Sequence, residues 1–193
     1  MSKKEISYYI NIFKELSRFE FIDDSKLKEL LYFFSAYVSY IYLEEIKILQ
    51  DDDLKEIKAH TIFIYLWSII ESLIYFYVKL KLNDEKSKRK YLELEEFIKL
   101  QKIQETKDLY ICKLQIKEID FNNSINSHWL INWLKDKKLI DKSIINKIDY
   151  FRKMRNLVHI NALLTYSEDK LIEELEKAFI DTKVIIDYIE DKI

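Results

Sequence analysis

The fold is decided by an apolar stretch of 18 residues, Thr61 to Val78, which reads TIFIYLWSIIESLIYFYV. A helix that is apolar on every side has to be covered on every side, by other helices, by a second subunit or by lipid. The stretch is at the lower edge of what can span a bilayer. Glu71, near its middle, would cost about 2.5 to 3.5 kcal/mol in lipid on insertion scales. We therefore expect the central helix of a bundle and no membrane span.

The rest of the chain has mostly amphipathic patterning. Apolar residues recur three and four positions apart, which predicts helices at about 4–18, 24–50, 52–82, 84–104, 126–137, 142–164 and 167–192. Asp51, Ser143 and Ser167 are plausible N-caps of these helices. Between Leu109 and Phe121, apolar residues alternate with mostly polar neighbours, which predicts a short β-element near 109–121. The expected fold is all-α, a helical bundle of about six or seven helices in a single domain over 1–193.

The composition excludes several classes of enzyme. The chain contains no glycine and no proline. Phosphate-cradling P-loops, dinucleotide-binding turns and the nucleophile elbow of α/β-hydrolases all need glycine where the backbone turns tightly or approaches a ligand. A single cysteine, Cys112, cannot form an intramolecular disulfide, and no secretory signal stands out, so we expect a cytoplasmic protein.

Ligand motifs for metals are also missing from the sequence. Neither the His-Glu-x-x-His pattern nor a pair of closely spaced cysteines occurs, and no histidine lies three residues after a glutamate. His60 and His128 are isolated and stand apart from such patterns. We expect no metal and no cofactor.

Charge is distributed unevenly in the last third of the chain, although the net charge is only -2. From Ser127 to Ile160, eight basic residues face three acidic ones, whereas from Ser167 to Ile193 nine acidic residues face four lysines. Two solvated helix faces that attract each other would explain this. A basic surface for a polyanion would explain it as well.

The segment FRKMRNLVHI, residues 151–160, carries the clearest chemical signal. On a helix, Arg152, Arg155, Asn156 and His159 fall along one side, because residues three, four and seven apart are neighbours. Arg155 also falls in the predicted apolar stripe of its helix, where a guanidinium needs a partner. We predict that Glu71 contacts Arg152 or Arg155. The remaining members of the stripe are Ile144, Ile148, Phe151, Val158 and Ala162.

An arginine followed by a histidine after four to six residues is the signature that this segment shares with the HEPN superfamily of helical bundles. Arg152 and His159 have that spacing, and Arg155-Asn156 resembles the arginine-polar pair that often opens the motif. The resemblance covers about 55–193, and the first 50 residues form a helical extension. Many members of the family are metal-independent ribonucleases, so the resemblance implies an endoribonuclease, acting as a toxin or an antiviral defence effector.

The resemblance also implies roles for individual residues. His159 would act as general acid or base, Arg152 and Arg155 would neutralise the scissile phosphate, and Asn156 would orient either group. Family members commonly pair two motifs across a dimer, so we expect a homodimer with apposed His159 residues, and an antitoxin or defence-system partner. The RNA-binding lysines predicted beside the motif are Lys142, Lys147 and Lys153.

Two alternatives remain open at the level of sequence. Some members of the family are catalytically inactive interaction modules, in which the motif residues only hydrogen-bond inside the bundle. The chain would otherwise be a nucleic-acid or protein adaptor, whose contact surface would be the lysines from 135 to 147 and the basic run from 86 to 90.

Overall fold

A computed structural model describes residues 5–16, 18–88, 92–104, 107–116, 126–156 and 170–193. Within these ranges there are six α-helices, one π-helical segment and two strands. Their bounds are α1 (Ile6–Glu15), α2 (Ser25–Tyr40), the π-helical segment (Ile41–Ile46), α3 (Asp52–Lys88), β1 (Leu92–Gln104), β2 (Lys107–Ile116), α4 (Ser127–Asp136), α5 (Lys142–Asn156) and α6 (Lys170–Glu190).

The chain forms two compact units, Met1–Tyr77 with Ser127–Ile193, and Val78–Asn126. The first unit is the all-α helical bundle that the sequence predicted. Its core is built around α3, where Ile62, Phe63, Ile70 and Leu73 have no exposed surface. The apolar stretch from Thr61 to Val78 is therefore mostly covered by protein. The prediction of one domain spanning 1–193 stays a prediction.

Two side-chain caps define where helices of the first unit begin. Asp51 accepts a hydrogen bond from the backbone N–H of Leu54 at 3.0 Å, and Asp24 accepts one from Leu27 at 3.0 Å. Such bonds satisfy backbone donors that the first turn of a helix leaves unpaired. The sequence predicted the Asp51 cap. The predicted cap at Ser143 is wrong, because a cap precedes its helix and Ser143 lies inside α5, which begins at Lys142.

The π-helical segment continues α2 and is held from two sides. The Tyr9 hydroxyl of α1 donates to Glu44 at 2.6 Å, and burial together with this carboxylate raises the pKa of Tyr9 to about 12. On the other side, Tyr42 donates to Glu176 of α6 at 3.2 Å, and its ring lies 5.2 Å from that of Phe179. The π-helical segment thus presents Tyr42 and Glu44, two positions apart, to different helices.

The second unit contains a β-hairpin. β1 pairs with β2 in antiparallel fashion, with register shifts at three places. β2 overlaps the predicted β-element, whose residues 117–121 lie outside the described ranges. The helix predicted over 84–104 is wrong, since α3 ends at Lys88 and β1 starts at Leu92. The bulges break the strict alternation of β1, and its glutamates and lysines favour a helix when read alone.

The stretch Asp52–Asn83 within α3 is long enough to cross a bilayer, and its most apolar window of 18 residues has a mean hydropathy of 1.6. Inside the protein, 61% of the most apolar window is buried. A core helix passes the same test of length and composition, so the finding is weak evidence for a membrane. The expectations of a cytoplasmic protein and of no membrane span stay predictions.

Candidate functional site

The last turn of α5 carries four polar residues of the predicted motif, and their side chains differ in exposure. Arg152 is half-buried, whereas Lys153, Arg155 and Asn156 are exposed. The prediction that Arg155 belongs to the core stripe is wrong, because Met154 takes the buried position after Phe151. Residues three and four after a core residue both lie near its face of a helix. The packing of the bundle places Met154, the first of the two, in the core.

Arg152 is paired with Asp149 of its own helix, which in turn is bound by Lys135 of α4. Its Nε donates to Oδ1 of Asp149 at 3.4 Å, and Lys135 of α4 donates to Oδ2 of the same carboxylate at 2.9 Å. Partial burial alone would raise the pKa of Asp149, but the hydrogen bond and charge of Lys135, aided by Arg152, hold it below its usual range. Arg152 uses one of the five donors of a guanidinium here, which leaves donors for a ligand.

Arg155 and Asn156 form a small polar pair that faces solvent. The Nη1 atom of Arg155 donates to the side-chain oxygen of Asn156 at 3.4 Å, and both residues are exposed. A bond of this length constrains the guanidinium weakly. The planar guanidinium of Arg155 can therefore donate two parallel hydrogen bonds to two oxygens of a phosphate, which is how arginine recognises this group.

His159, the predicted acid-base residue, lies in the segment 157–169, outside the described residues. The same holds for Val158 and Ala162 of the predicted stripe and for the predicted cap at Ser167. The convergence of His159 with the arginines stays a prediction. The described part of the chain supplies the guanidinium and amide groups that it requires.

Glu71 does not hold the arginines in place as predicted. Among the described residues, no hydrogen bond or ion pair joins it to Arg152 or Arg155, and each arginine has a different partner. Two contacts show how α3 and α5 are aligned, which explains why Glu71 is not near the arginines. The Tyr77 hydroxyl donates to the carbonyl of Leu139 at 3.5 Å, and the rings of Phe63 and Phe151 are 6.4 Å apart. α3 and α5 therefore run in opposite directions.

This register separates Glu71 from the end of α5. Glu71 is eight residues from Phe63 toward the start of α5, about 12 Å at a rise of 1.5 Å per residue. Arg155 lies four residues past Phe151 in the opposite direction, about 6 Å further. The part of α3 that is level with Arg155 precedes Phe63. It carries His60 about one turn before Phe63, and Glu56 about two turns before Phe63.

Glu56 and His60 form a pair that the sequence analysis missed. Nε2 of His60 lies 3.9 Å from Oε1 of Glu56, and each side chain is only 14% exposed. Burial lowers the pKa of His60. Nδ1 of His60 is buried and has no hydrogen-bond partner within the described ranges. The Glu-x-x-x-His spacing, which places both side chains on one face of a helix, is the sequence signal for this pair.

The three predicted RNA-binding lysines have different surroundings. Lys142 and Lys153 are exposed and share a face of α5, because eleven residues complete about three turns. Lys147 instead pairs with Asp181 of α6, whose side chain is buried. One pair of opposite charges from the basic segment 127–160 and the acidic segment 167–193 therefore holds α5 to α6. Lys142 and Lys153 keep their charges at the surface.

Within the ranges that the structure describes, no group of three or more His, Cys, Asp or Glu side chains is arranged to hold a metal ion. No protein-family model matches the chain, and neither a curated protein nor a solved structure matches it. The candidate site is therefore defined by its own residues. These are a solvent-facing guanidinium and amide, a second guanidinium paired with Asp149, and a half-buried Glu-His pair level with them.

Proposed function

We propose that the chain is a metal-independent endoribonuclease of the HEPN type, with its active site at the C-terminal end of α5. The observation that carries the proposal is the exposed pair of Arg155 and Asn156, which has no structural partner elsewhere among the described residues. A cation kept at the surface next to an amide, one turn after an anchored second cation, suits a phosphodiester.

The chemistry assigns one role to each residue. His159 would take the proton of a ribose 2′-hydroxyl, and the resulting oxygen would attack the adjacent phosphorus while the 5′-oxygen of the next nucleotide leaves. Arg155 would bind the phosphate, and Arg152 would add positive charge close by. Charge-assisted donors aimed at such an oxyanion are often the largest single contribution to catalysis. Acid-base catalysis by a positioned histidine contributes about 10²- to 10⁴-fold.

A leaving oxygen needs a proton as well, and two groups could deliver it. The first is His159 of a second subunit in a homodimer. Exposed apolar side chains in the first turns of α3 and just before it support such an assembly, since Ile57 is 61% and Ile48 is 65% exposed. The second is His60, whose register brings it to the level of Arg155. A dimer and a site within one subunit make different predictions.

Cleavage of RNA in excess chelator tests the proposed function. We expect wild-type protein to cut a labelled single-stranded RNA, and His159→Ala to lose at least about a hundredfold in rate. His128→Ala, which changes an exposed histidine on α4, is the matched control and should keep full activity. An RNA with 2′-deoxyribose at every position should resist cleavage. Equal rates for wild type and His159→Ala would reject the enzyme.

Light scattering and cleavage assays on two variants distinguish the two proton donors. If a dimer supplies the second group, Ile57→Glu should yield a monomer with little activity, and His60→Gln should remain active. If one subunit suffices, an Ile57→Glu monomer should remain active and His60→Gln should lose cleavage. Each result identifies one arrangement and excludes the other.

An interaction module without catalysis is the second candidate, and one observation favours it. Arg152 and Lys147 are both engaged by carboxylates inside the bundle, as structural residues would be. In that case the exposed Lys142 and Lys153 would bind RNA, or the bundle would bind an antitoxin or a defence-system partner. Binding of RNA without cleavage, unchanged in His159→Ala, would support this function.

A further inference from the structure

We propose that the first unit contains a binding site for a short amphiphile with a carboxylate head and an apolar tail. The site is a cavity of about 180 Å³ between α1, α2, α3 and α6. Well-packed interiors contain few voids larger than a water molecule. A dry apolar cavity of about 150 Å³ is known to accept benzene, so this one would hold a tail of about six to eight carbons.

The walls of the cavity are apolar. Side chains from four directions line it, among them Phe13, Val38, Leu66, Phe179 and Ile186. Three residues with hydroxyl groups also line it, Ser35, Ser39 and Thr182. Ser39 donates to the carbonyl of Ser35 at 2.9 Å, and Thr182 donates to that of Ala178 at 2.8 Å. The interior therefore offers a ligand a mainly apolar contact surface.

The rim of the cavity is positively charged. Arg18 and Lys183 both line it, and both donate to Asp187, which is not among its lining residues. The Arg18 contact is 2.5 Å. Partial burial would raise the pKa of Asp187, but the hydrogen bonds and charges of Lys183 and Arg18 keep it below its usual range. Two cations thus share one carboxylate.

This imbalance identifies the head group of the ligand. One further carboxylate would neutralise the cluster, accepting hydrogen bonds from guanidinium and ammonium donors that Asp187 leaves free. The side chain of Lys183 is 59% exposed, so the head can be reached from solvent while the tail enters the cavity. A neutral or cationic head would gain nothing from the rim.

Calorimetric titration with octanoate tests the site, with octan-1-ol and octylamine as probes of equal tail length. We expect octanoate to bind about tenfold more tightly than octan-1-ol, and octylamine to bind least. In Asp187→Asn, which removes the internal competitor, octanoate affinity should increase. In a variant combining Arg18→Gln with Lys183→Gln, octanoate and octan-1-ol should bind equally.

Two controls keep the result interpretable. Val38→Phe, which fills the cavity, should remove binding of all three probes, and circular dichroism should show that each variant retains its helices. Equal affinity of the wild type for octanoate and octan-1-ol, or no binding of octanoate, would overturn the proposal. So would octanoate affinity that is unchanged in Asp187→Asn. The readout is binding, so it is independent of the proposed ribonuclease activity.

Discussion

The first part of α5 and its last turn have similar residue types but use them differently. Up to Phe151, the polar groups that face the bundle are paired with neighbouring helices, as Lys147 is with Asp181 and Tyr150 with Glu174 of α6. After Phe151, Lys153, Arg155 and Asn156 are exposed, and the contact between Arg155 and Asn156 is long and local. One helix therefore divides into a part that holds the fold and a turn whose charges face solvent.

The difference shows that the partner of a charged side chain indicates whether that side chain is available to bind a ligand. A lysine that is bound to a buried aspartate cannot leave it for a phosphate without exposing the bundle to an unpaired charge. An exposed arginine bound only to its neighbour costs little to redirect. The charged residues of the basic segment are thus not equivalent, although the sequence presents them as one patch. The predictions below test this division of α5.

Phe151→Ala should have the largest effect on folding. The Phe151 side chain has no exposed surface and packs against Phe63 and Tyr150. Truncation of a buried phenylalanine costs about 3 to 5 kcal/mol in the free energy of unfolding. Lys153→Ala, two residues away and exposed, should change it by less than about 0.5 kcal/mol. Urea denaturation measures both, and similar losses would erase the proposed division.

Lys147→Met should have the next largest effect, because it leaves Asp181 buried without its ion-pair partner. We expect a loss of about 1 to 3 kcal/mol, reduced from that of a fully buried pair because Lys147 is partly exposed. Lys142→Met on the same helix is the control and should be nearly neutral. The same denaturation experiment compares them. A neutral Lys147→Met would mean that the α5–α6 seam does not depend on this pair.

Tyr150→Phe should cost about 1 kcal/mol at pH 7, the typical contribution of one hydrogen bond. The Tyr150 hydroxyl donates to Glu174 at 2.8 Å and is the main cause that lowers the pKa of this carboxyl, with Lys177 adding to it. A lowered carboxyl pKa stabilises the fold above the unfolded pKa, and that stability is lost as the pH falls. The cost of Tyr150→Phe should therefore shrink below about pH 4. A cost that does not change with pH would contradict the assignment.

His60→Gln should have the smallest effect and a different pH dependence. Burial lowers the pKa of His60. The unfolded chain then binds a proton more readily than the folded chain below about pH 6.5, and stability falls there by at most about 1.4 kcal/mol per pH unit. His60→Gln should remove this part of the pH dependence, whereas His128→Gln should leave it in place. Identical pH profiles for wild type and His60→Gln would show that His60 is not sealed in the bundle.

The sequence predicted the helices of the bundle because their patterns are local. The spacing of apolar residues was sufficient for α4, predicted at 126–137 and found at Ser127–Asp136. The widened turns after Tyr40 could not be predicted in this way. They depend on contacts such as that of Tyr42 with Glu176, which lies far away in the sequence. β1 was mistaken for a helix for the same reason, since its partner strand decides its conformation.

The site was predicted less completely, because it depends on how two helices are aligned. The exposed Arg155 and Asn156 came from the motif. The choice of Glu71 as their partner failed, because the sequence does not contain the register of α3 against α5. A shift of about three to four turns along α3 exchanges Glu71 for the pair of His60 and Glu56. Contacts between aromatic rings, such as that of Phe63 with Phe151, fix this register.

A paired measurement on Arg155→Gln and Lys147→Met tests the central claim most directly, with RNA cleavage in chelator and unfolding by urea recorded for both variants. The proposed division of α5 predicts that Arg155→Gln loses most of its cleavage at unchanged stability. Lys147→Met should lose stability and retain cleavage under conditions where it is folded. Full cleavage by Arg155→Gln, or a loss of stability in that variant as large as in Lys147→Met, would contradict the claim.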